Sequence, residues 1–100
     1  MMMTRKPFTP GEILKEEFLA PYNLTQAELA DAIGVARRRV NEIVNHRRAI
    51  TPDTALRLGK YFNMSPGYWL YLQMKIDLWE IEHDKQVIKE VKAIQPVINP

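Results

Sequence analysis

The chain has 100 residues, 46% of them apolar, which is enough for about one domain with one modest core. Without a single cysteine it has neither a disulfide framework nor a thiolate metal site, and no apolar run approaches the roughly 20 residues that cross a bilayer. The net charge of +2 is unevenly spread: Arg37 to Arg48 holds five arginines and one acid, while the remaining nine basic and eleven acidic residues sum to −2. A basic stripe on a slightly acidic body is the footprint of phosphate binding. The N-terminus lacks the long apolar core of a signal peptide, which predicts a soluble, cytoplasmic protein.

In chain order, residues 1–8 show no periodicity and read as a flexible arm carrying Arg5 and Lys6. Thr9, Pro10 and Glu12 then supply a cap, a first helical residue and a capping-box acid, with Phe8 and Ile13 as a hydrophobic staple. This first helix is predicted to run to about Ala20, burying Ile13, Leu14 and Phe18 and exposing Lys15, Glu16 and Glu17, before Pro21 ends it. Thr25 and Glu28 form a second capping box, stapled by Leu24 and Leu29, and the helix they start is predicted to stop at Gly34.

A third helix follows at once, with Val40, Ile43 and Val44 on one face. Two helices joined this tightly cross steeply, and only a small side chain fits where they meet. Ala30 falls at that point; Leu29, Val40 and Ile43 fill the angle between the helices. In residue types and spacing this segment resembles the helix-turn-helix of phage-repressor-type DNA-binding proteins.

The side of the third helix opposite Val40 and Ile43 carries Arg37, Arg38, Asn41, Glu42 and Asn45. Arginine can donate twice to guanine, asparagine pairs with adenine and glutamate accepts from cytosine, so Arg37, Arg38, Asn41 and Glu42 are the candidate base readers. Arg37 and Arg38 lie at the helix N-terminus, the end that such motifs press deepest into the major groove. Arg39, on the flank of the aliphatic side, is expected to reach a phosphate. The resemblance adds Gln26, Asn45, Arg47 and Arg48 as phosphate contacts, since they fall where repressor-type domains hold the backbone; such contacts set register, not sequence. Ala36 stands where a serine or threonine commonly caps the recognition helix, which predicts a weaker cap. His46 stands where the resembling proteins often have glycine and reads as a turn residue.

Thr51 and Pro52 start a fourth helix, with Ala55, Leu58 and Phe62 buried and Arg57 and Lys60 facing out; Ser65 and Pro66 start a fifth, stapled by Met64 and Trp69. The fifth helix is apolar on two sides. One stripe, Trp69, Leu72, Ile76 and Trp79, can close the core; the other, Leu70, Met74, Leu78 and Ile81, needs a second surface and is the expected homodimer interface. Past His83, Val87, Val91 and Ile94 share one helical face, so the fifth helix continues or restarts until Pro96, and VINP is either a short strand or disordered.

These elements define an all-α, five-helix, lambda-repressor-like DNA-binding domain with a helix-turn-helix and an extended C-terminal helix. The expected division is an arm (1–8), the DNA-binding domain with its dimerising fifth helix (9–82) and a C-terminal extension (83–100). PGEIL of the first helix, the helix-turn-helix and SPGYWLYLQMKIDLW from Ser65 to Trp79 together resemble the HigA/VapI group of antitoxins, over about residues 5 to 94. That resemblance implies a dimeric repressor of its own operon on palindromic double-stranded DNA, and a HigB-type, RNA-cleaving toxin as partner. Two other readings are a stand-alone helix-turn-helix regulator with no cognate toxin and a mainly toxin-binding protein with weak DNA binding. Enzymatic activity is not expected: His46 and His83 are far apart, the four glycines occur singly, and Glu16 and Glu17 diverge around a helix. No cofactor, no metal and no membrane partner are expected.

Overall fold

The computed structural model describes residues 5–98, so the arm from Met1 to Thr4 and the final two residues of VINP lie outside the described residues. Among the described residues every regular element is helical. The first helix, α1, opens as an α-helix over Pro10–Ile13; α2 is Gln26–Ile33, α3 Arg37–Val44, α4 Pro52–Phe62, α5 Pro66–Glu82 and α6 Lys85–Lys92. The starts are where the capping residues place them: Thr9 and Thr25 both close complete capping boxes, and Thr51 and Ser65 accept from Thr54 N and Gly67 N. Ala36 gives α3 no side-chain cap, as the sequence predicts.

Two features depart from expectation. The first helix continues as a π-helix over Leu14–Leu19, closed by Ala20 N–H donating to the Lys15 carbonyl at 3.0 Å. The wider turn brings Leu19 inside at 5% exposure, whereas Ile13 and Phe18 are only half-buried. Phe8 is 70% exposed, so its staple with Ile13 leaves the ring on the surface. Of the two readings of the extension, the restart is the one found: α5 ends at Glu82, and Asp84 caps a separate α6 by accepting from Val87 N at 3.0 Å.

The core lies among α1 to α5. Leu14, Leu29, Ala30, Val40, Ile43, Ala55, Leu58, Trp69 and Ile76 are each at most 2% exposed. Phe18 packs between Phe62 and Trp69, with ring centroids 4.9 Å from each. One side of α5 closes this core through Trp69 and Ile76. Its other side stays open, with Leu70, Met74, Leu78 and Ile81 between 36% and 54% exposed along one groove that also reaches Ile50.

A bent helical pair presents a basic face

Gly34 adopts the left-handed conformation, φ 72° and ψ 39°, and its N–H returns to the Ala30 carbonyl. That geometry turns the chain from α2 into α3 within three residues, and Ala30, Val40 and Ile43 pack the bend with at most 2% exposure. Three further contacts support the pair, and none is evident from periodicity. Arg57 of α4 donates from Nη1 to the carbonyl of Ile33 at 2.8 Å and from Nε to Asp53 at 2.8 Å, so the residue expected to face out instead caps α2. Gly11 lets α1 lie directly on the end of α3: a Cβ there would collide with the carbonyls of Ile43 and Val44. Gln73, buried on α5, accepts the Ile50 N–H at 2.8 Å and so ties the loop after α3 to the core.

On this frame the outer face of α3 is open. Arg37 is exposed and the Arg38 side chain is 84% exposed. Asn41 donates from Nδ2 to Gln26 Oε1 at 3.2 Å, which joins the outer face of α3 to the N-terminus of α2. Asn45 donates its amide to the Asn41 carbonyl at 2.9 Å.

Glu42 is arranged differently from a free base reader. Its Oε2 accepts from Arg38 Nε at 3.1 Å and its Oε1 from Arg48 Nε at 2.9 Å. The hydrogen bonds from Arg48 and then Arg38 hold its carboxyl below the usual carboxylate range. In the free protein Glu42 therefore orients two arginines, one at each end of the face. Arg39, expected to reach a phosphate, instead meets Asp53 at 3.2 Å. Asp53 also accepts from Arg57, and these bonds, Arg57 first, lower its pKa. Arg37 and Arg47 take no ion pair among the described residues.

The turn leaving α3 passes through His46 in the left-handed region at φ 56°, consistent with a position that suits glycine. Its Nε2 lies 3.1 Å from Glu80 Oε2, so the end of α3 is linked to α5. No group of three or more metal-ligating side chains is present among the described residues, and no described helix is long and apolar enough to cross a membrane.

The helix-turn-helix family profile matches residues 14–69, which spans the whole bent pair and its support from α1 to the start of α5. The Dichelobacter nodosus virulence-associated protein I is 51% identical over 79 residues, covering 79% of this chain and 73% of that protein. The Vibrio cholerae antitoxin HigA-1 is 36% identical over 93 residues, covering 93% and 86%. The chain belongs to the helix-turn-helix regulators of the HigA/VapI antitoxin type. The Pseudomonas aeruginosa antitoxin HigA, solved with the higBA promoter, superposes with a TM-score of 0.83 at 38% identity, covering 92% of this chain and 99% of that one. Helix-turn-helix antitoxins of this type are DNA-binding regulators.

Proposed function

We propose that this HigA/VapI-type protein is a dimeric repressor that binds a palindromic operator in its own promoter and also neutralises a HigB-type, RNA-cleaving toxin in the cytoplasm. The observation that carries the DNA reading is the exposed row of Arg37, Arg38 and Asn41 on the outer face of α3, backed by a fold shared with an antitoxin solved on its promoter. Arg37 and Arg38 enter the major groove first, and Asn41, braced by Gln26, follows one turn later. Glu42 releases Arg38 to a base or itself accepts from a cytosine amine. Gln26, Asn45, Arg47 and Arg48 flank this row on both sides and take the phosphates, and Arg39 joins them by exchanging Asp53 for a phosphate oxygen.

The dimer reading rests on the open α5 stripe of Leu70, Met74, Leu78 and Ile81, because two copies related by a two-fold axis read half-sites about one helical turn apart. Toxin binding is supported by the similarity to HigA-1, an antitoxin by name. The direct test is titration of the purified chain against the duplex upstream of its own gene and against a scrambled duplex of equal composition, at physiological salt. The expected preference is at least about 10³-fold. Equal binding to both would refute the repressor reading, and protection from a co-expressed toxin without any DNA preference would leave the toxin-binding reading.

A further inference from the structure

The buried side of α5 is Trp69, Gln73 and Ile76, so an amide at 7% exposure sits between two apolar side chains. A polar group there is costly unless its hydrogen bonds are made. The other buried polar side chains among the described residues, Thr9 and Thr54, belong to the caps that start α1 and α4. Gln73 caps nothing. Its Oε1 accepts the Ile50 N–H at 2.8 Å, and its Nε2 donates to Asp77 Oδ1 at 2.8 Å. Because a carboxylate only accepts, Asp77 dictates which end of the amide faces Ile50.

What the first of these bonds holds is the loop from Asn45 to Ala49. Every residue of that loop is exposed, and the first buried anchor after it is Ile50, at 4%. The loop leaves α3 through His46, whose left-handed backbone and contact with Glu80 Oε2 fix the near end. Gln73 fixes the far end. Gln73, Asp77 and Glu80 are spaced by four and then three residues, so they share one face of α5, and that face grips both ends of the loop that carries Arg47 and Arg48. The two arginines are held unequally. Arg48 is bonded to Glu42, whereas Arg47 takes no ion pair among the described residues and is placed by its backbone, whose N–H donates to the Glu42 carbonyl at 2.7 Å. A loop already ordered gives up less freedom when its side chains bind.

We propose that Gln73, its amide set by Asp77, is a positioning residue for operator binding: from inside α5 it fixes the loop backbone from which Arg47 and Arg48 reach the phosphates. This rests on the DNA reading above and deepens it by naming a buried side chain on which two phosphate contacts depend. Gln73 therefore governs affinity for any duplex and leaves the choice of base alone, because phosphate contacts set register and orientation while base edges carry the sequence.

The test is anisotropy titration of the full chain on the duplex upstream of its own gene and on the scrambled duplex, over a range of salt. The variants are Gln73→Leu, Gln73→Glu, and the exchange of Gln73→Glu with Asp77→Asn. Gln73→Glu alone sets two carboxylates against each other; in the exchange the new carboxylate accepts from the Ile50 N–H and from the new amide at position 77, so both bonds return with the second reversed in polarity. Circular dichroism confirms helix content, and titrations run at concentrations where parent and variants sediment alike, since Asp77 lines the α5 groove. Gln73→Leu and Gln73→Glu are expected to weaken both duplexes alike by about tenfold and to leave the ratio between them unchanged. The slope of log affinity against log salt is expected to flatten by about one to two units, as for two weakened phosphate contacts. The exchange is expected to recover both affinity and slope. Should Gln73→Leu fail to fold, Gln73→Glu against the exchange decides. An unchanged slope in the single variants overturns the proposal, and so does an exchange that regains stability without regaining the slope, which would leave Gln73 a core residue only. A changed ratio overturns it as well, in favour of a role in base reading through α3. If the parent shows no preference for its own upstream duplex, the repressor reading falls, and the scrambled duplex still decides whether Gln73 governs the phosphate contacts.

Discussion

Arg57 Nη1 donates to the carbonyl of Ile33 at 2.8 Å, a bond that spans 24 residues of sequence and closes the last turn of α2 where the chain bends into α3. The same guanidinium meets Asp53 from Nε, so one side chain fixes the bend to α4. Replacing Arg57 with Ala should cost about 1 kcal/mol, the value of a charged hydrogen bond reduced for a side chain that is 40% exposed. Arg57→Lys should not restore it, because one ammonium lacks the fork that reaches both partners. Urea denaturation of the three proteins checks this, and a full recovery by lysine would mean that charge alone matters there.

Gly11 faces the chain at Ile43 and Val44 with no room for a side chain, the Val44 carbonyl lying 2.6 Å from where a Cβ would stand. Gly11→Ala must therefore push α1 away from the end of α3, with a loss of about 2 kcal/mol, which lowers the melting temperature by roughly 10 °C. Gly67→Ala is the control, since its Cβ would meet only Ser65 Oγ at 3.3 Å. Thermal unfolding should separate the two; equal melting temperatures would show that α1 is not seated on α3 in this way.

The capping acids set a pH dependence. Bonds from the backbone N–H of Thr9 and Thr25 lower the carboxyl pKa of Glu12 and Glu28 below their ordinary value of 4.5. A depressed folded value means that the stabilisation is fully present above about pH 4.5 and is lost as pH falls through the lowered folded values. Glu12→Gln and Glu28→Gln should each flatten the acid limb of the stability profile while changing little near pH 7. Denaturation midpoints followed from neutral pH down through the acid range provide the comparison.

Glu42 is bonded to both Arg38 and Arg48, so Glu42→Gln removes a negative charge from the middle of the binding face. Affinity for random duplex should rise and its salt dependence should steepen by about one unit of slope. Preference for the operator should fall at the same time, because Arg38 loses the partner that holds it. Anisotropy titrations on operator and scrambled duplexes measure both; a rise in affinity with preference unchanged would assign Glu42 to charge balance alone.

Much of the fold was legible because the local signals agree with one another. Four starts carry their own caps, Gly34 sits where only a left-handed residue can turn the chain, and the two stripes of α5 sort into Trp69 and Ile76 inside and Met74, Leu78 and Ile81 outside. What was not legible depends on partners far apart in sequence. Periodicity places Arg57 on an outer face and cannot show that its long side chain reaches back to Ile33. Arg39 reads as a phosphate ligand until Asp53 is seen beside it. Asp53 and Arg57 are four residues apart and could have been paired in advance. The π-helical turn has no sequence rule behind it, and the break before α6 was written in Asp84, a capping residue easily passed over in a charged tail. On the candidate binding face, residue choice marked the exposed arginines well, but not the two sets of bonds already made there, Asn41 to Gln26 and Glu42 to Arg38 and Arg48.

The central claim is that the outer face of α3 reads base pairs rather than merely attracting phosphate, and selection of bound duplexes from a random pool tests it most directly. The parent chain should recover a palindromic site, and Arg38→Ala should lose preference at one symmetric base-pair position at a cost of about 1 to 3 kcal/mol. Arg47→Ala should weaken all sequences alike and keep the same site. If the pool yields no symmetric site, or if Arg38→Ala and Arg47→Ala both lower affinity uniformly, the arginines hold only the backbone and the account of sequence recognition is wrong.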